Sequence, residues 1–207
     1  MDLSIIFLGD VMLARFIDRK HCIDKDVLHY LNSASMRICN FEGVVSSNCP
    51  SLYAVKSNPT DYICKHGVSN DQAGILVDLD INCCNLANNH ILDYGYEAVK
   101  ETLSFLNNNN IKWFGFGKNY EVAWKPRIYN LKLNTCNKSQ EIPQNNKDKV
   151  KIGIFGVSDH FIEWRANDNA GINYFDIKNY TEGGGNPNRS FWTNIENIYE
   201  QIEKGIE

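Results

Sequence analysis

The feature that most constrains this chain is the way its apolar runs end. Three times a short hydrophobic stretch runs into a polar cluster: "LSIIFL" (3–8) stops at Gly9-Asp10, "MRICNFEG" (36–43) carries Asn40 and Glu42, and "INCCNLA" (81–87) meets Asn88-Asn89-His90. Short continuous apolar runs bounded by turn residues read as strands buried on both faces. Helical patterns fall between them. "DKDVLHYLN" (24–32) has Asp24 as a candidate N-cap, and "SNDQAGILVDLD" (69–80) has Ser69. In "YEAVKETLSFLNNN" (96–109), Ala98, Val99, Leu103 and Leu106 share one helical face. "IKWFGFG" (111–117) reads as a fourth strand, and after Pro126 "RIYNLKL" and "KVKIGIFGV" (149–157) add two more. This alternation predicts an α/β sheet. The polar residues sit at the C-terminal ends of the first strands, the edge where open α/β sheets bind ligands.

With 207 residues, the chain is long enough for one sizeable core. No internal repeat or linker divides it, so 1–207 reads as one domain, with a polar insertion at 134–149. Residues 44–68 read as irregular, and 190–204 have helical character. A formal net charge of -4 argues against a nucleic-acid surface, which needs a basic excess. The seven cysteines are an odd number with no C-x-x-C pair, which speaks against structural zinc and a disulfide framework and fits buried thiols in a reducing compartment. No stretch approaches the ~18 apolar residues of a membrane span. The visible chain therefore reads as having no membrane segment and as cytoplasmic, or as extracytoplasmic if an anchor precedes it.

Four polar clusters lie at strand ends: Gly9-Asp10, Asn40-x-Glu42, Asn88-Asn89-His90 with Asp93, and Asp159-His160. Each alone has an ordinary explanation. Gly-Asp makes a turn, Glu42 is a solvated loop residue, Asn and Asp cap a helix, and Asp159-His160 is a polar turn. "GFGKN" (115–119) is a two-glycine connection. Together, carboxylate, amide oxygen and imidazole are ligands suited to Mn, Fe, Zn or Mg. An ion held there lowers the pKa of bound water toward ~7 and makes a nucleophile. That chemistry needs no serine or cysteine, and G-x-S-x-G, P-loop and G-x-G-x-x-G patterns are missing from the sequence.

"FLGDVMLAR" (7–15), "CNFEGVV" (39–45) and "NLANNHILDYG" (85–95) resemble, in order and spacing, the three N-terminal motifs of the CapA family, the poly-γ-glutamate capsule synthesis proteins. "VSDHFIEW" (157–164) followed by "AGINYFD" (170–176) is similar to a subset of that family. The resemblance implies a layered αββα sandwich like that of the calcineurin-like metallophosphoesterases, with two divalent ions. It implies Asp10 as a metal carboxylate and Glu42, or Asn40 beside it, as a bridging ligand. In the Asn-His pair it implies Asn89 as a ligand and His90 as general acid, oriented by Asp93, while Asn88 is a packing, capping or substrate-contacting amide. The two asparagine roles are interchangeable at this level. Lys56, Asn88, Asp159 and His160 are the candidates for meeting substrate. The family continues with "HWG" and "GHxH" motifs that 177–207 do not match, so the resemblance implies an N-terminal portion that holds one side of a two-metal cleft.

Three readings follow. The first is a metal-dependent hydrolase acting on an acidic polymer such as poly-γ-glutamate, or on a phosphoester. The second is a non-catalytic assembly or binding component for an acidic polymer. The third is an inactive remnant with the fold alone.

Overall fold

A computed structural model describes residues 3–14, 23–48, 65–132, 149–159 and 164–174. Lys56, His160, almost all of the 134–149 insertion and the helical segment expected at 190–204 lie outside the described residues. The centre is a four-stranded parallel sheet made of β1 (Ile5–Val11), β2 (Met36–Phe41), β5 (Cys83–Asn85) and β6 (Lys112–Phe114), in that spatial order. Two parallel strands, β3 (Val44–Val45) and β4 (Gly67–Val68), pair beside it. β7 (Phe116–Gly117) pairs antiparallel with β10 (Gly171–Ile172), and β8 (Arg127–Lys132) with β9 (Lys149–Ile154).

The apolar residues of β2 and β5 behave as a doubly covered parallel sheet requires, whereas β1, expected to be buried on both faces, is the edge strand and leaves Phe7 exposed. Along β2, Cys39 and Phe41 join one core with Cys84, Leu86, Leu76, Val99 and Leu106. Met36 and Ile38 join a second core with Cys83 and Phe114, against Tyr129, Leu131 and Ile154 of the β8–β9 pair. Helices thus cover one face and a second, antiparallel layer covers the other. Each fully buried Phe, Leu, Ile or Met contributes about 1.5–3 kcal/mol. Burial pushes the Cys83 thiol up to about 11, so it is a small apolar filler rather than a nucleophile.

The helices are α1 (Lys25–Asn32), α2 (Asn70–Ala73), α3 (Ile75–Asp78), α4 (Gly95–Asn108) and α5 (Tyr120–Trp124). Asp24 caps α1 by accepting from the Asp26 N–H at 2.7 Å. Ser69 and Gln72 form a reciprocal capping box on α2. The single helix expected over 69–80 is divided at Gly74, whose N–H is shared between the Asn70 and Asp71 carbonyls. Glycine in a helix interior weakens it by about 1 kcal/mol relative to alanine. The expected 111–117 strand is likewise divided, at Gly115, where φ is +84°.

β1 does not stop at Gly9-Asp10. It continues through a bulge: Phe7 pairs with Ile38 and Asp10 with Asn40, three steps on one strand against two on the other. Gly9 takes φ +73°, a left-handed conformation that glycine adopts without a Cβ clash. The side-chain period of a strand is two, so the extra residue moves Asp10 onto the face it shares with Asn40. Asn40 in turn pairs with Asn85 on β5. The bulge thereby sets Asp10, Asn40 and Asn85 in one cross-strand row at the sheet's C-terminal edge.

Candidate active site

Three elements position the site. The end of β2 brings Asn40 and Glu42, the bulged end of β1 brings Asp10, and the turn after β5 brings Asn88, Asn89, His90 and Asp93. None of these last residues caps α4. Its N-cap position is Tyr94, with no side-chain capping bond. The capping explanation for the "NNHxxD" stretch is thus replaced by tertiary contacts.

Those contacts are specific. Asn40 Nδ2 donates to Asp10 Oδ1 at 2.8 Å, and Asn40 Oδ1 accepts from Asn85 Nδ2 at 3.0 Å and Asn88 Nδ2 at 3.3 Å. Asn88 is buried, donates to the Phe41 carbonyl at 2.8 Å and accepts from the His90 N–H at 3.0 Å. It ties the His90 turn to the end of β2. His90 Nδ1 lies 2.8 Å from Asp93 Oδ2, which fixes the proton on Nδ1 and leaves Nε2 facing Glu42 Oε1 at 3.6 Å. Asn89 Nδ2 lies 3.0 Å from the same Nε2.

A residue that the sequence reading passed over completes the group. His66 stacks on His90 with ring centroids 3.6 Å apart, and its backbone N–H donates to Asp93 Oδ2 at 2.6 Å. It sits in the stretch read as irregular, just before β4. The β3–β4 pairing carries it there, through the Val44 N–H to His66 carbonyl bond at 2.9 Å. Gly43 permits the approach, since a Cβ there would stand 2.8 Å from the His66 carbonyl oxygen. A glycine directly after Glu42 was the available signal.

Glu42 is the centre of the group. Its carboxyl is raised above its ordinary value, first by burial and then by the Asp10 carboxyl beside it, with which it shares a hydrogen bond; His90 pulls the other way. Two carboxyls that compete for one proton are relieved when a cation takes the proton's place. On the other side, ligand-capable atoms of Glu42, His66 and His90 all lie within 4.8 Å of one another. This mixed oxygen and nitrogen donor set fits a divalent first-row ion. Donors around one ion at about 2.0–2.2 Å stand closer together than that limit. The two rings are stacked, 22° from parallel.

The profile of the family described as bacterial capsule synthesis protein PGA_cap matches residues 4–152. The chain belongs to this family. It is also 26% identical over 133 residues to the PGA biosynthesis protein CapA of Bacillus subtilis (strain 168), an alignment covering 61% of this chain and 33% of that protein. The chain thus spans about a third of the length of the curated relative it matches. All the residues converging at the sheet edge fall inside the PGA_cap match.

Within this PGA_cap fold, Asp10, Asn40, Glu42, Asn88, Asn89, His90 and Asp93 come together. Asp159 is exposed on the segment after β9. No helix among the described residues is long and apolar enough to cross a membrane.

Proposed function

We propose that this PGA_cap protein is a metal-dependent hydrolase that acts in the synthesis or processing of poly-γ-glutamate, with Glu42 as the shared carboxylate of a two-ion cleft. The observation that supports it is the position of Glu42, against the Asp10 carboxyl on one side and 3.6 Å from the imidazole of His90 on the other. The name of the Bacillus relative supports the polymer assignment.

Asp10 and Glu42 would hold the cations, with Asn89 joining them if its amide turned its oxygen inward. That turn would give up the 3.0 Å contact of Asn89 Nδ2 with His90 Nε2. When bound, the ions supply an activated water and stabilise developing negative charge. The chain's own contribution to proton transfer is His90. Asp93 accepts from Nδ1, which aims Nε2 into the cleft, where the doubly protonated ring would donate to a leaving group. The partner is an acidic polymer or phosphoester whose carboxylates or phosphates meet the same cations.

The test incubates the full-length gene product with poly-γ-glutamate, and separately with a phosphodiester, with and without Mn²⁺. Mn²⁺-dependent shortening of the polymer, lost in Asp10→Ala, is the expected result. Polymer retained without shortening would support a binding component instead, and turnover unchanged in Asp10→Ala would remove the metal mechanism.

A further inference from the structure

The amides at the sheet edge are oriented by a chain of logic that begins at the backbone. Asn88 faces the Phe41 carbonyl with its NH₂ at 2.8 Å and the His90 N–H with its oxygen at 3.0 Å, so its two ends cannot be exchanged. Asn85 is fixed in the same way, its oxygen accepting from the Ala87 N–H at 3.1 Å. Both therefore present N–H donors to Asn40, at 3.0 and 3.3 Å. Two donors converging on one atom require an acceptor, and a carboxamide has its acceptor at Oδ1. The Asn40 NH₂ is then forced toward Asp10, where it donates to Oδ1 at 2.8 Å.

We propose that Asn85, Asn88 and Asn40 form a directional amide relay that aims the Asp10 carboxylate into the cleft, and that Asn40 is a positioning residue and not a metal ligand. Its one good ligand atom is occupied by two N–H donors, while its NH₂ has no lone pair to offer an ion. The inference rests on the metal reading for what Asp10 does, but not for how Asp10 is held. It divides the roles along the "CNFEG" stretch: Glu42 meets the cations, and Asn40 sets the partner carboxylate in place.

Isosteric exchanges separate the two roles. Asn40→Asp keeps an oxygen ligand but removes the donor to Asp10. Asn85→Asp leaves Asn40 in place but replaces the shorter of its two N–H donors by an acceptor, so that the direction of its amide rests on the longer Asn88 contact alone. Mn²⁺ binding to the 207-residue chain is read from loss of the free-ion paramagnetic resonance signal. Both variants should weaken binding by about 10- to 100-fold, as loss of an outer hydrogen bond to a ligand does. An unchanged or tighter Asn40→Asp would make Asn40 a ligand and overturn the relay, as would an unchanged Asn85→Asp. A second readout needs no ion. In the Mn²⁺-free protein, the Asn40 side-chain NH₂ resonances should shift in Asp10→Ala, an exchange at an exposed site. If they stay in place the relay is wrong, whether or not the wild type binds Mn²⁺. If they shift while the wild type takes up no Mn²⁺, the relay stands and the metal reading fails.

Discussion

His66 and His90 stack with ring centroids 3.6 Å apart, and the two residues share one acceptor: Asp93 Oδ2 receives the His66 backbone N–H at 2.6 Å and faces His90 Nδ1 at 2.8 Å. One carboxylate oxygen thus sets both the height of the β4 edge and the direction of the His90 ring. A ring held on one face by a second imidazole and at one nitrogen by a carboxylate has little freedom left.

The first prediction separates proton donation from ligation at His90. His90→Ala should lower hydrolysis of poly-γ-glutamate by the full-length gene product by about 10²–10⁴-fold, the usual contribution of a positioned acid. Ion content, measured by elemental analysis, should stay near that of the wild type. A matching loss of ion would place His90 among the ligands.

Glu42 gives a pH dependence with a definite sign. Its carboxyl in the folded chain is raised above 4.5, by burial first and Asp10 second. Between its unfolded value and that raised one, the folded state holds a proton that the unfolded state has lost. Stability of the ion-free protein from this group is therefore full at low pH and falls as pH rises through that window. Thermal melts across the window should show the decline, Glu42→Gln should flatten it, and added Mn²⁺ should reverse it in the wild type only. A wild-type profile that matches Glu42→Gln would contradict the crowding of Glu42 by Asp10.

Gly9→Ala tests the bulge. An added Cβ meets no atom within 4 Å, so the penalty is the left-handed backbone alone, about 1–2 kcal/mol. Chemical denaturation should show a loss of this size. Mn²⁺ binding should weaken as well, since relief of the strain moves Asp10 out of the row with Asn40. Full retention of both stability and binding would mean that the bulge does not set Asp10.

Arg37 is a prediction about the fold alone. Its buried guanidinium donates to the Leu31, Ala34 and Asp80 carbonyls and pairs with the Asp80 carboxylate, joining the end of α1 to the turn before β5. Arg37→Ala strands these acceptors and should cost on the order of 3 kcal/mol. Arg37→Lys should recover little of it, because an ammonium cannot span the same fork of acceptors. Equal stability of the Lys variant and the wild type, by denaturant midpoint, would refute this account of Arg37.

The parallel sheet was legible in the sequence because strands buried on both faces are mainly apolar, as Ile38–Cys39 and Cys83–Cys84 are, with the charged Arg37 as the exception inside β2. Asp10, Asn40, Glu42 and the Asn88–Asp93 stretch stood out as polar residues ending those runs. The bulge was not legible: Gly9-Asp10 reads as a stop, and only pairing with β2 shows the strand going on. His66 was not legible either. It directly precedes a two-residue strand, β4, whose partner β3 lies more than twenty positions earlier in the sequence, so no local pattern marks it. The direction of the Asn40 amide is set by Asn85 and Asn88, more than forty positions away, and single-strand patterns carry no such information.

The most direct measurement is the anomalous difference map of a crystal of this chain grown with Mn²⁺. The account predicts a peak within coordinating distance of the Glu42 carboxylate, in the space it shares with Asp10 and the Asn89–His90 turn, and loss of that peak in Glu42→Gln. A map with no peak beside Glu42, or the same peak in Glu42→Gln, would contradict it.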